Sequence, residues 1–161
     1  MSKDAVSAAG KADVELAMRQ LANHIETVPC FYGAQSETTL LAFPAPGKWS
    51  KKQILGHLVD SAVNNLKRFT DIQFSAQPYA LQPYSQDELV RVNNYQDLPL
   101  AHLLQFWQLL NRQIVYVVDN IPAEKLDYPV QVLNDDQPPK TLAWLICDYV
   151  NHLQQHLEQA G

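Results

Sequence analysis

Four long stretches of this chain place apolar side chains three and four positions apart, the spacing that lines one face of a helix. The first carries Val14, Leu16, Ala17, Leu21, Ile25 and Val28; the second carries Ile54, Leu55, Leu58, Val59, Ala62, Val63, Leu66 and Phe69. The third carries Leu103, Leu104, Trp107, Leu110, Ile114 and Val118, and the last Leu142, Leu145, Ile146, Tyr149, Leu153 and Leu157. A helix with one apolar stripe must bury it against another element. Four such helices and one weak strand candidate, Val130 to Leu133, predict an all-α fold: a four-helix bundle with a short extra helix and irregular connections.

Local signals set the expected boundaries. The first helix runs from Lys11 to Val28, where Pro29 stops it. "FPAPGKWS" forbids regular helix, and Ser50 with Gln53 then forms a capping box opening a helix from Lys51 to Phe74. "SAQPYALQPYS" reads as loop. Ser85 with Glu88 repeats the box and opens a short helix through Tyr95. Asp97 caps and Pro99 begins the third long helix, which ends at Asn120 before Pro122. Residues 121–140, with "NDDQPP", form an irregular excursion, and Thr141 caps the last helix.

The 161 residues form one domain, 1–161, of which 1–10 read as a flexible N-terminal tail. No apolar run approaches the roughly 20 residues that cross a bilayer. A net charge of −5 without a basic stripe argues against nucleic acid or an anionic membrane as partner. The start lacks the apolar core of a signal peptide, so the expected compartment is the cytoplasm, with Cys30 and Cys147 as reduced thiols.

The segment "DYVNHLQQHLEQ" carries the chemistry. Helix positions four apart differ by about 40° and share a face. His156 falls within the apolar stripe of the last helix and His152 lies at its edge. Two imidazoles at this spacing can chelate one metal. Alone the pair is weak evidence, because H-x-x-x-H arises by chance and a histidine beside an apolar face usually makes one hydrogen bond. The candidate third ligand is His57 in "ILGHLVD", beside the polar strip of Ser61, Asn64 and Asp60. Three neutral imidazoles leave coordination positions open, the arrangement of a catalytic metal site. Asp148 and Asp60 are candidates for the second shell, where a carboxylate fixes a ligand's tautomer. A solvated aspartate is an equal alternative. His24 and His102 read as structural or exposed. Cys147 receives no catalytic role. Trp49 stands where a hydrophobic staple would, Trp107 and Trp144 read as packing, and Tyr79 and Tyr84 read as a pocket mouth or as loop anchors.

The stretch "FPAPGKWSKKQILGHLVDSAVNNLKRF" resembles the second-helix signature of DinB-like (DinB/YfiT-type) proteins, a superfamily of hydrolases and bacterial thiol transferases. "LVRVNNYQDLPLAHLLQFWQLLNRQI" resembles their Tyr-containing link and third long helix, and "DYVNHLQQHLEQ" their last-helix motif. The likeness covers residues 10–160. Its specificity lies in combining W-S-x-x-x-x-x-x-H with a distant H-x-x-x-H. It implies a histidine triad, with His57, His152 and His156 as ligands of a divalent metal ion: nickel, zinc or iron. It also implies a homodimer. In one departure Gln155 stands where many members have a further histidine, so any base that residue supplies is missing.

Two functions are expected from these features. One is a metal-dependent enzyme that activates water or a low-molecular-weight thiol, hydrolase-like or thiol S-transferase-like, on a small-molecule substrate. The other is a non-catalytic dimeric helical binding module with a structural or vestigial metal. The substrate pocket is expected between the loops at 75–84 and 121–140.

Overall fold

A computed structural model describes residues 8–161. Most of the tail expected at 1–10 therefore lies outside the described residues. Four long helices form the bundle: α1 (Lys11–Gly33), α3 (Lys51–Asp71), α5 (Leu100–Asp119) and α6 (Leu142–Ala160). Two short helices, α2 (Glu37–Leu41) and α4 (Gln86–Asn93), lie in the connections. α3 packs against α5 and α6, and α1 closes the bundle on the other side of those two. Apart from Leu16 and Val63, which are exposed, the four apolar stripes meet in one core, where Leu21, Leu55, Leu103, Trp107, Ile114, Leu142 and Ile146 are fully buried. The all-α bundle read from the sequence is the observed architecture.

α1 does not stop at Pro29. It continues to Gly33 with the proline inside it. A proline in a helix deprives the carbonyl four residues earlier of its amide donor. That carbonyl belongs to Ile25, and Gln108 Nε2 on α5 donates to it at 3.0 Å. A partner from another helix thus satisfies the orphaned group and lets the helix run through.

The capping boxes divide. Ser50 Oγ accepts from Gln53 N and Gln53 Oε1 accepts from Ser50 N, both at 3.1 Å, as the sequence predicts. Ser85 makes no such bond, because Glu88 turns to Arg91 at 2.6 Å. Pro99 is the N-cap of α5 rather than its first turn, and Asp97 accepts from Asn94 instead of capping. Thr141 caps α6 by accepting from Trp144 N.

The connections hold more order than their composition suggests. "SAQPYALQPYS" contains a strand, β1 (Tyr79–Leu81), which pairs in parallel with β2 (Pro129–Val132). β2 pairs antiparallel with β3 (Lys140–Thr141), which leads directly into α6. Leu81 and Val130 point inward and are buried. The small sheet therefore ties the end of α3, the excursion after α5 and the start of α6 together at one end of the bundle.

Candidate metal centre

The triad is assembled by two helices. His57 projects from the second turn of α3, and His152 and His156 from successive turns in the second half of α6. His57 Nε2 lies 3.3 Å from His152 Nε2, and His156 Nε2 lies 3.0 Å from the same atom. All three ligand nitrogens fall within 4.8 Å of one another. Nitrogens bound to one cation at 2.0–2.1 Å stand about 2.9 Å apart at a right angle and about 3.4 Å apart at a tetrahedral angle. The separations of 3.0 and 3.3 Å lie between these two values. Among the described residues no fourth histidine, cysteine or carboxylate joins the cluster.

The protonation states agree with a ligand set. His57 is fully buried, and burial followed by the neighbouring His156 and His152 pushes its pKa down to about 3. Burial, then His156, lowers His152 to about 4. Burial lowers His156 as well, opposed by a hydrogen bond to Gln159. All three imidazoles are therefore neutral near pH 7. His156 Nδ1 donates to Gln159 Oε1 at 3.1 Å, which leaves the Nε2 lone pair facing the other two rings. With a lone pair on each facing nitrogen the three would repel, and a cation at their centre relieves this. The donor set fits a divalent metal.

The ring of His57 is held by packing. Its Nδ1 is buried with no hydrogen-bond partner. The Trp49 ring lies against it with centroids 4.8 Å apart, and Trp49 also reaches the ring of His156 at 6.2 Å. Trp49 thus walls one side of the triad.

The two aspartates take other places. Asp60 Oδ1 accepts from Tyr95 Oη at 2.5 Å and from Asn93 Nδ2 at 3.0 Å, while its Oδ2 has no partner. It makes no hydrogen bond to a triad ring. Burial raises its pKa, against the two hydrogen bonds that lower it. Asp148 lines a cleft with His152 but makes no hydrogen bond to it, and burial raises its pKa too. The residue that does orient a triad ring is Gln159, three positions after His156 in "HLEQ"; helical spacing alone can find it.

Asp60 instead joins α3 to the link before α5. Tyr95 crosses α3 at Gly56, where a Cβ would come within 2.1 Å of the Tyr95 ring. Next to it Gln96 receives Ser50 Oγ at 2.6 Å on its Oε1 and buried Lys52 Nζ at 3.1 Å on its carbonyl, and donates to Leu41 O at 2.8 Å. The run "NNYQD" therefore clamps the first half of α3, the half that carries His57.

The remaining predicted residues fall elsewhere. His24 lies in a polar cleft between α1 and α6 with Arg19, Asn23 and Gln154, and His102 is exposed and stacks on Phe106. Trp107 is buried in the core and Trp144 is packed beneath Lys140. Cys30 and Cys147 are free thiols, and burial raises Cys147. The cleft beside the triad has a volume of about 210 Å³ and is lined by α3, α6 and residues 83–86. Tyr84 lines it, but neither Tyr79 nor the excursion at 121–140 does. The small sheet draws that excursion to the other end of α6.

Comparison with known proteins supports this picture. No curated protein matches the sequence. A solved structure of YfiT from Bacillus subtilis, described as "a probable metal-dependent hydrolase with an unusual four-helix bundle topology", superposes with a TM-score of 0.85 over 99% of this chain and 89% of that one, at 16% identity. At that identity the likeness is one of fold. The family model of the DinB superfamily matches residues 15–160, nearly the whole chain. This protein belongs to the DinB superfamily.

Proposed function

We propose that the protein is a divalent-metal-dependent enzyme whose ion is held by His57, His152 and His156. The observation that carries this reading is the convergence of three Nε2 atoms with no fourth protein ligand among the described residues. A structural site is ordinarily closed by a fourth protein ligand, whereas a catalytic one keeps a position open. The arrangement therefore favours an enzyme over a module with a structural metal. A bound divalent ion would lower the pKa of water or of a low-molecular-weight thiol and supply a nucleophile near neutral pH.

The chain's own residues do the rest. Trp49 excludes water from one side of the triad, and Gln159 holds the proton of His156 on Nδ1. The cleft at His152 gives a small-molecule substrate its approach. The description of the YfiT structure supports hydrolysis. The resemblance of the second and last helices to a superfamily that includes thiol transferases supports the thiol alternative. Nickel, zinc and iron all suit imidazole donors. We also infer a homodimer, supported by the exposed Phe106, Leu109 and Tyr116 along α5. Analytical ultracentrifugation reads that state directly.

Metal analysis of the purified protein tests the main reading. One equivalent of divalent metal is expected in the parent, and loss of it in each of His57→Ala, His152→Ala and His156→Ala. Full occupancy in all three variants would refute the site. Turnover screens with amide substrates, and with thiols plus electrophiles, then separate the two chemistries.

A further inference from the structure

The cleft beside His152 contains a cation, Arg68, that forms no ion pair among the described residues. Arg68 projects into it from α3, four turns of helix after the capping box and on the same side as Ser61 and Asn65. Its guanidinium lies over the ring of Tyr84 at 5.2 Å and is half-buried. One of its nitrogens donates to Gln82 O at 2.7 Å. No carboxylate lies within salt-bridge distance of it among the described residues. A guanidinium has five N–H donors in a planar fork, so most of its capacity is unspent.

Holding an unpaired cation in a partly desolvated cleft costs free energy unless an anion arrives. The fork, the Tyr84 hydroxyl and the buried Ser61 and Asn65 line a single space with His152. That space of about 210 Å³ corresponds to roughly seven water volumes. It suits the polar end of a small molecule. Asp148 lines the same cleft, and its negative charge disfavours a phosphate dianion there more than a singly charged carboxylate.

We propose that Arg68 is a specificity residue that receives a substrate carboxylate, so that the substrate is a small carboxylic acid with its reacting group directed at the triad. This rests on the reading of the triad as a metal site. Arg68 and a carboxylate form two parallel N–H···O bonds, a geometry that neither an alcohol nor an amide reproduces. Tyr84 keeps the guanidinium plane in place by stacking, and the backbone carbonyl of Gln82 fixes its rotation.

Cobalt-loaded protein provides the test, with thiols used only as anchors on the metal side. ω-Mercaptocarboxylates of two to six carbons are titrated against the matching mercaptoalcohols, and the thiolate-to-cobalt absorption reads binding. At the best chain length the carboxylate is expected to bind about tenfold or more tightly than its alcohol. Arg68→Gln should abolish that preference while leaving the affinity for the alcohol unchanged, and Arg68→Lys should retain part of it. Unchanged alcohol binding also shows that the variant is folded. Equal binding of acid and alcohol at every length, or a preference that survives in Arg68→Gln, would overturn the assignment of Arg68 and leave the metal site standing. Failure to take up cobalt would remove the metal reading, and this one with it.

Discussion

At the scale of single residues, the triad depends on nitrogens kept neutral by burial and aimed by what surrounds them. Removing any one imidazole leaves two donors, so His57→Ala, His152→Ala and His156→Ala should each weaken metal binding by at least about 100-fold, measured by competition with a chromogenic chelator. Gln159→Leu removes only the partner of His156 Nδ1, and a smaller loss of about tenfold is expected. The same burial gives the metal-free protein a pH dependence. The folded state holds His57 at about 3 and His152 at about 4, against 6.5 for an ordinary imidazole. Between these values the unfolded chain binds more protons than the folded one. Stability is therefore complete above pH 6.5 and declines as pH falls toward 4. His57 alone accounts for about 2 kcal/mol at pH 5. Urea midpoints at pH 7.5 and pH 5 should show that decline, and a His57→Asn variant should reduce it by about half, because His152 keeps its own share. These three histidines are visible in the sequence because helical spacing and two capped helices put them on known faces. The supports of the triad were less visible. Trp49 at a staple position gives no hint that its ring lies against His57, and the aspartates drew attention by charge although a glutamine does the orienting.

At the scale of elements, the informative departures are places where a distant partner outweighs a local rule. Pro29 is a strong stop signal, and α1 runs through it because Gln108 reaches the freed Ile25 carbonyl. No inspection of residues 11–33 can reveal a partner 83 positions away. Gln108→Leu should leave that carbonyl unpaired and cost about 1–2 kcal/mol in chemical denaturation. β1 is not legible in the sequence for the same reason: three residues among prolines form a strand only because β2 pairs with them. The clamp on α3 invites a second test. Any side chain at position 56 meets the Tyr95 ring, so Gly56→Ala must displace Tyr95 from Asp60 or shift α3. A loss of about 2–4 kcal/mol is expected, together with weaker metal binding because the adjacent His57 moves. Tyr95→Phe keeps the ring and removes only the hydroxyl, so its metal affinity should stay near that of the parent.

For the whole molecule, the bundle follows from four stripes that each need a partner, and that much is legible from spacing alone. Which helices adjoin, and that α3 faces α6 so that the triad can close, depends on contacts that periodicity does not encode. A ligand that binds only the folded chain stabilises it by mass action. With metal at 100 times its dissociation constant the gain is about 2.7 kcal/mol, or roughly 5–10 °C in melting temperature for a chain of this size. Calorimetry with and without a chelator reads this difference, and the triad variants should show none of it.

His57 and His152 stand 95 residues apart in the chain. An ion shared between them works as a removable staple across more than half the polypeptide, and a loop that long carries an entropy of closure of about 4–5 kcal/mol in the unfolded chain. His152 and His156, one helical turn apart, can grip an ion before His57 arrives, so a nascent chain that captures metal there would bring α3 home to a seat already occupied.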